Sequence, residues 1–93
     1  MRRQHIELIK RMDQLIRLRA TGNYKQFARR LGISNATLYR LLDVLKYDLE
    51  APIRYNYLNE SYEYEKNGSI EIRFIPKNMI DSNGANLQTG TKM

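Results

Sequence analysis

The chain has 93 residues, of which 42% are hydrophobic and 28% charged, and its formal net charge is +6. That length suits one domain, because single domains usually run from about 50 to 250 residues, and it leaves no room for a second sensing or catalytic domain. The absence of cysteine excludes disulfides and thiolate metal sites, and no apolar run approaches the ~18 residues of a membrane helix, so we expect a cytoplasmic location.

The charge is distributed unevenly along the chain. Residues 1–46 hold 11 Lys and Arg against 3 acidic residues, a net of +8, whereas residues 47–93 hold 5 against 7, a net of −2. A basic segment attracts polyanions, because neutralised phosphates release their counterions. A nucleic acid, an anionic membrane surface and a solvated basic face without a partner all fit this pattern.

Helical periodicity predicts a first helix over residues 3–20. Its core-facing stripe consists of Leu8, Ile9, Met12, Leu15 and Ile16, and the opposite side carries Lys10, Asp13 and Arg17. Thr21 and Gly22 then break the pattern. A second, short helix is predicted from Tyr24, with Asn23 and Gln26 as a capping box and with Gly32 as its end.

A third helix is predicted to begin after Ser34, a favourable N-cap residue, and to end near Lys46. Its buried face is made of leucines at helical spacing: Leu38, Leu41, Leu42 and Leu45. The opposite side and its flanks carry Asn35, Ala36, Thr37, Tyr39, Arg40, Asp43 and Tyr47. These outward side chains are free to contact another molecule.

Pro52 closes the helical half, because proline lacks the amide donor that a helix needs. Alternation of apolar and polar residues then predicts three short strands, over residues 53–57, 62–65 and 70–74, with Asn67-Gly68 as a tight hairpin turn. The expected fold class is α+β: three helices and a short antiparallel β-hairpin or meander over residues 1–75. Residues 76–93 lack periodicity and are predicted to form a flexible polar tail.

Two segments resemble the winged helix-turn-helix domains of DeoR-like and related bacterial transcription regulators. FARRLGISNATLYRLLDVL is similar to the paired helices of the family, and APIRYNYLNESYEY is similar to its turn into the hairpin, or wing. The resemblance implies a transcriptional regulator whose third helix reads the major groove of double-stranded DNA. Asn35, Ala36 and Leu41 stand where the family often has two basic residues and an acidic one, so this surface is less basic than usual.

Side-chain chemistry assigns roles within that expectation. Arg40 suits guanine, Asn35 suits adenine and Ala36 permits contact with a thymine methyl, while Ser34, Thr37 and Tyr39 suit phosphates. Further contacts are expected from Asn23, Lys25 and Arg54. The wing is acidic, however, with Glu60, Glu63 and Glu65 against Arg54 and Lys66, and phosphates would repel it.

Several alternatives stay open at this point. Arg40 can instead pair with Asp43 on the helix surface, and the strand tyrosines can pack in the sheet rather than stack on bases. The chain can also be a winged-helix module that binds a protein, or an architectural or recombination-directionality factor. No catalytic motif is present and His5 is the one histidine, so we expect no enzyme, cofactor, metal or small-molecule effector. A homodimer is expected, because one recognition helix covers only a half-site.

Overall fold

The computed structural model describes residues 3–79. Three α-helices come first: α1 (Arg3–Arg17), α2 (Tyr24–Leu31) and α3 (Asn35–Asp43). A π-helical turn (Val44–Asp48), two strands, β1 (Ile53–Asn56) and β2 (Ser61–Tyr64), and a 3₁₀ turn (Lys77–Met79) follow. The predicted α+β class is confirmed; residues 80–93, most of the predicted flexible tail, lie outside the described residues.

Helix α1 buries the predicted stripe, with Ile9, Met12 and Ile16 almost fully inaccessible. Asp13, however, does not lie on an exposed outer face: it is 4% exposed. Its carboxylate accepts hydrogen bonds from the Tyr64 hydroxyl at 2.7 Å, the Ile70 amide at 3.0 Å and the Arg17 guanidinium at 2.9 Å. The helical wheel placed Asp13 opposite the apolar stripe, but Tyr64 and the backbone at Ile70 cover that side of α1.

The turn between α2 and α3 has the structure that the sequence predicts. Asn23 and Gln26 make the reciprocal capping box, and Gly32 ends α2 in the left-handed region at φ 71°, where glycine has no Cβ penalty. The Ile33 amide donates to the Ala28 carbonyl at 3.0 Å, which completes a Schellman-type end. Ser34 then caps α3, so the two helices are separated by only three residues.

Helix α3 does not stop near Lys46 as a regular α-helix. It continues into the π-helical turn, where the Leu49 amide donates to the Val44 carbonyl at 3.0 Å and the Ala51 amide to the Leu45 carbonyl at 2.8 Å. The wider turn keeps Leu45 fully buried while the backbone reverses toward β1. Periodicity alone does not reveal such a turn, because the buried leucines keep their spacing.

Strands β1 and β2 pair antiparallel in the register Ile53↔Tyr64, Arg54↔Glu63, Tyr55↔Tyr62 and Asn56↔Ser61. The connecting residues, Tyr57 to Glu60, form a four-residue turn, called here the hairpin loop. Because side chains alternate between faces, one face of the hairpin carries the tyrosines and Ile53 and the other carries Arg54 and Glu63. The predicted first hairpin is therefore confirmed.

The predicted third strand is wrong, and so is the Asn67-Gly68 hairpin. Residues 70–74 pair with no strand in the described chain, and the Tyr62 amide on the outer edge of β2 already has a partner. The Tyr62 amide donates to the Thr21 hydroxyl at 2.8 Å, and the Thr21 amide donates to the Ser61 hydroxyl at 3.2 Å. Ile70 and Ile72 pack against the core, and Gly68 lacks the positive φ of a type I′ turn.

The hydrophobic core lies between the three helices and the tyrosine-bearing face of the hairpin. Each helix contributes about one side chain per turn, and the hairpin closes the open side. Its buried members are Ile9, Met12, Ile16, Phe27, Ala28, Leu31, Leu38, Leu41, Leu42, Leu45 and Ile53. This arrangement leaves the side of α3 opposite the buried leucines on the outside of the molecule.

Candidate nucleic-acid interface

The outer side of α3 presents a continuous polar surface. Asn35, Ala36, Tyr39 and Arg40 are exposed, and Thr37 is half-buried beside them. We call these four exposed residues the α3 face. Leu38, Leu41 and Leu42 point the other way and anchor the helix in the core, so the orientation of the α3 face is fixed by packing on its opposite side.

Hydrogen bonds within the first turn of α3 hold the start of this face in place. The Ser34 hydroxyl accepts from the Thr37 amide at 3.1 Å and donates to the Thr37 hydroxyl at 3.0 Å. The Arg40 guanidinium in turn donates to the Thr37 hydroxyl at 3.3 Å. None of the ion pairs of residues 3–79 joins Arg40 to Asp43, so most of the five guanidinium donors face solvent.

Five tyrosines from α2, α3 and the hairpin form one pair and one group of three contacting rings. We call them together the tyrosine cluster: Tyr24, Tyr39, Tyr55, Tyr57 and Tyr62. Tyr24 and Tyr39 lie 5.5 Å apart between ring centroids, Tyr55 and Tyr62 5.0 Å, and Tyr55 and Tyr57 4.9 Å. Tyr62 also contacts the buried Phe27 ring at 5.6 Å. These spacings are typical of tilted and edge-to-face aromatic pairs.

The cluster runs from a buried end to exposed ends. Burial, followed by the neighbouring phenols of Tyr39, Tyr55 and Tyr57, raises the pKa of Tyr62. Tyr39 is 48% exposed and Tyr57 is 84% exposed, so phenol groups are accessible both on α3 and at the hairpin loop.

Two of the predicted contacts, Asn23 and Lys25, lie at the beginning of α2. The Asn23 side-chain oxygen accepts from the Gln26 amide at 2.9 Å, so the helix cap engages the oxygen of that side chain. Lys25 is exposed, and its ammonium lies 5.9 Å from the centroid of the Tyr24 ring. Because Tyr24 also contacts Tyr39, the start of α2 adjoins the α3 face.

Arg54 is the predicted site residue that the structure does not bring to the α3 face. It lies on the hairpin face opposite the tyrosine cluster, where its guanidinium donates to Glu63 at 2.9 Å. Glu63 is 4% exposed and also pairs with Arg19 at 3.2 Å and accepts from the Asn56 amide at 3.3 Å. The Arg54 hydrogen bond, the Asn56 hydrogen bond and the charges of both arginines lower the pKa of Glu63.

The predicted repulsion between the hairpin and phosphates is smaller than the sequence indicates. Glu63 is a buried carboxylate with two arginine partners, so only Glu60 and Glu65 of the three acids remain exposed. Exposed basic side chains are frequent on α1 and α2: Lys10, Arg11, Arg17, Lys25, Arg29 and Arg30. Sequence reasoning missed the Glu63 pairing, since strand alternation predicted an outward glutamate.

The hairpin loop is a second exposed feature that the sequence did not indicate. Tyr57 was assigned to the first strand, but the strand ends at Asn56, and Leu58 is 96% exposed. By contrast, Tyr62 and Tyr64 are half-buried, the first against Phe27 and the second bonded to Asp13. For these two tyrosines, packing in the sheet is confirmed.

Over residues 3–79, no group of three or more His, Asp and Glu side chains is arranged to hold a metal ion. Within the same range, none of the helices has the length and apolar character needed to cross a bilayer. Comparisons of the chain with protein-family models, with curated proteins and with solved structures give no match. The resemblance to the DeoR-like regulators therefore stays a prediction.

Proposed function

We propose that this chain is a winged helix-turn-helix protein that binds double-stranded DNA by placing α3 in the major groove. The observation that carries the proposal is the α3 face, which is a polar helix surface held outward by three buried leucines on its other side. An α-helix fits the major groove, where each base pair displays a distinct set of donors and acceptors. The β1–β2 hairpin, whose second strand packs against α1, takes the place of the wing.

The α3 face offers suitable groups for reading bases. Arg40 can direct two donors at the O6 and N7 atoms of guanine, and the Asn35 amide can pair with adenine in the same bidentate way. Ala36 stands between them and allows the helix to approach closely. The hydrogen bonds between Ser34 and Thr37 fix the first turn of α3. The backbone that carries these base-reading side chains is therefore held in one conformation.

Phosphate contacts fit the residues that surround the base-reading groups. The hydroxyls of Ser34, Thr37 and Tyr39 can donate to phosphate oxygens, and backbone amides at a helix N-terminus favour anions. Asn23 and Lys25 lie at the start of α2, next to Tyr24 and Tyr39. Arg54 is the least supported member of the predicted set, because Glu63 already engages it.

We propose a non-catalytic role in transcription regulation, carried out by a homodimer on a two-fold symmetric site. One recognition helix contacts only a few base pairs, so two copies are needed for useful affinity. Light scattering of the protein bound to a selected duplex measures this directly. A mass of two chains per duplex is the expected result, and one chain per duplex at saturation contradicts the dimer.

The main alternative is a module that binds a protein through an acidic hairpin. Burial of Glu63 between Arg19 and Arg54 weakens it, because the hairpin then lacks a contiguous acidic face. The basic exposed side chains of α1 and α2 favour a polyanion instead. DNA binding is therefore the better supported function.

A salt titration tests DNA binding. If about six phosphates are neutralised, the logarithm of the affinity for a duplex should fall against the logarithm of the salt concentration with a slope of about −5. A control titration with the Arg29→Ala variant, which removes one cation outside the α3 face, should flatten the slope by about one or leave it unchanged. Absence of duplex binding at low salt would overturn the proposal.

A further inference from the structure

The hairpin loop begins with two adjacent side chains that are largely exposed to solvent. Leu58 is 96% exposed and Tyr57 is 84% exposed, whereas the strand residues on either side of the loop are buried or half-buried. A single exposed apolar residue is common on protein surfaces. Two of them at the tip of a projecting hairpin form a small apolar wedge.

The loop is held in one shape before it meets any partner. The Asn56 side-chain oxygen accepts from the Leu58 amide at 2.9 Å and from the Asn59 amide at 3.1 Å. The Asn56 amide group donates to the buried Glu63 at 3.3 Å, which ties the loop to the ion-paired face of the hairpin. Ordering Leu58 on binding therefore costs little backbone entropy.

The tip and the α3 face are linked through side chains of α2. Tyr57 lies edge-on against Tyr55, Tyr55 contacts Tyr62, and Tyr62 contacts Phe27 of α2. Tyr24, three residues before Phe27 on the same helix, contacts Tyr39 of the α3 face. Glu60, the acid of the loop, borders a surface cleft with Arg19 and Arg30, whose charges offset its repulsion of phosphates.

The size of the tip decides which kind of partner fits it. Two side chains of this kind present at most roughly 400 Å², whereas a stable protein interface buries about 800 Å² on each partner. The space between two stacked base pairs is apolar, and one inserted side chain is enough to fill it. Apolar side chains inserted from the minor groove unstack such steps and kink the duplex.

We propose that Leu58, supported by Tyr57, inserts between base pairs from the minor groove and kinks DNA bound to α3. This inference rests on the proposed DNA binding. It assigns the hairpin a role in bending DNA, in addition to any contact with the sugar–phosphate backbone. The partner is a deformable base step, for which pyrimidine–purine steps are the easiest to unstack. The protein then bends its site as well as reading it.

Energy transfer between dyes at the two ends of a duplex tests the wedge. The probe is a duplex of about 20 bp obtained by in vitro selection on the wild-type protein, and a 60° kink shortens it from roughly 68 Å to roughly 59 Å. The variant is Leu58→Ser. The matched control is Leu18→Ser, which changes a leucine that is 65% exposed at the end of α1.

Wild-type protein and Leu18→Ser should both increase the energy transfer at saturation. Leu58→Ser should bind the same duplex within about tenfold of wild type and leave the energy transfer near the value of free DNA. Binding of the wild-type protein without a change in energy transfer overturns the wedge and leaves DNA binding intact, as does an equal change with Leu58→Ser. Failure of the wild-type protein to bind any duplex overturns both.

Discussion

Replacing Thr21 with valine removes one hydroxyl from the contact between the helices and the hairpin. The Thr21 side chain is 0% exposed, and valine has nearly the same shape, so the change leaves no cavity. Its hydroxyl oxygen accepts from the Tyr62 amide at 2.8 Å, lies 3.0 Å from the Ser61 hydroxyl and donates to the Gly22 carbonyl at 2.8 Å. In Thr21→Val, the Tyr62 amide keeps its position and loses its acceptor.

The cost follows from the number of polar groups that are left without partners. A buried donor without an acceptor costs about 1–3 kcal/mol, and an ordinary hydrogen bond contributes about 1 kcal/mol. Thr21→Val should therefore lower the free energy of unfolding by about 2–4 kcal/mol. For a domain of this size the melting temperature should fall by about 8 °C or more, at about 4–8 °C per kcal/mol.

Urea unfolding followed by far-ultraviolet circular dichroism measures this change. The matched control is Thr37→Val, which removes the same hydroxyl from a half-buried threonine on the surface of α3 and should cost less than about 1 kcal/mol. Hydrogen exchange at the Tyr62 amide should accelerate in Thr21→Val. A loss of stability no larger than that of Thr37→Val would refute the assigned role of the Thr21 hydroxyl.

Three further predictions concern charge, backbone and the DNA surface. Because its arginine partners lower the pKa of Glu63, ionised Glu63 stabilises the fold, and this contribution should be lost as the pH falls below about 4.5. The difference in melting temperature between wild type and Glu63→Gln should therefore shrink as the pH is lowered below about 4.5, and a constant difference contradicts the prediction. Gly22→Ala should destabilise the protein more than Gly32→Ala in urea unfolding: both have positive φ, but a Cβ on Gly22 would collide with the side chain of Gln26, while Gly32 borders open space. Equal losses would show that the close contact is relieved without cost. Arg40→Ala should weaken binding to a selected duplex by about 1–3 kcal/mol and relax preference at one base pair, whereas Asp43→Ala should not weaken it; unchanged selection with Arg40→Ala counts against base reading.

The helices were predictable because their ends and their faces have local causes. Asn23, Gly32 and Ser34 act within three or four residues of their own position, and the buried leucines recur at helical spacing. The α3 face is predicted by the same helical spacing, since residues on the side of the helix opposite Leu38 and Leu42 must point outward. For this part of the site, residues that are close together in the sequence are sufficient to predict the structure.

The remaining features depend on contacts between distant residues. Asp13 is buried by residues that lie 51 and 57 positions away, and Glu63 is buried by Arg19 as well as by its strand neighbour. In place of a third strand, the Thr21 hydroxyl from the α1–α2 connection accepts from the Tyr62 amide on the outer edge of β2, and the Ile70 amide donates to Asp13. No local pattern distinguishes these acids from exposed ones, and so the hairpin was predicted to be more repulsive to DNA than it is.

Amide chemical-shift mapping by NMR during titration with a selected duplex tests the central claim most directly. The proposal predicts the largest shifts at Ser34, Asn35, Ala36 and Arg40, with a second group at Leu58 in the hairpin loop. Residues buried in the core, such as Met12, should move little and provide the internal control. Shifts confined to α1, or no shifts at saturating DNA, would contradict the assignment of α3 as the DNA-reading helix.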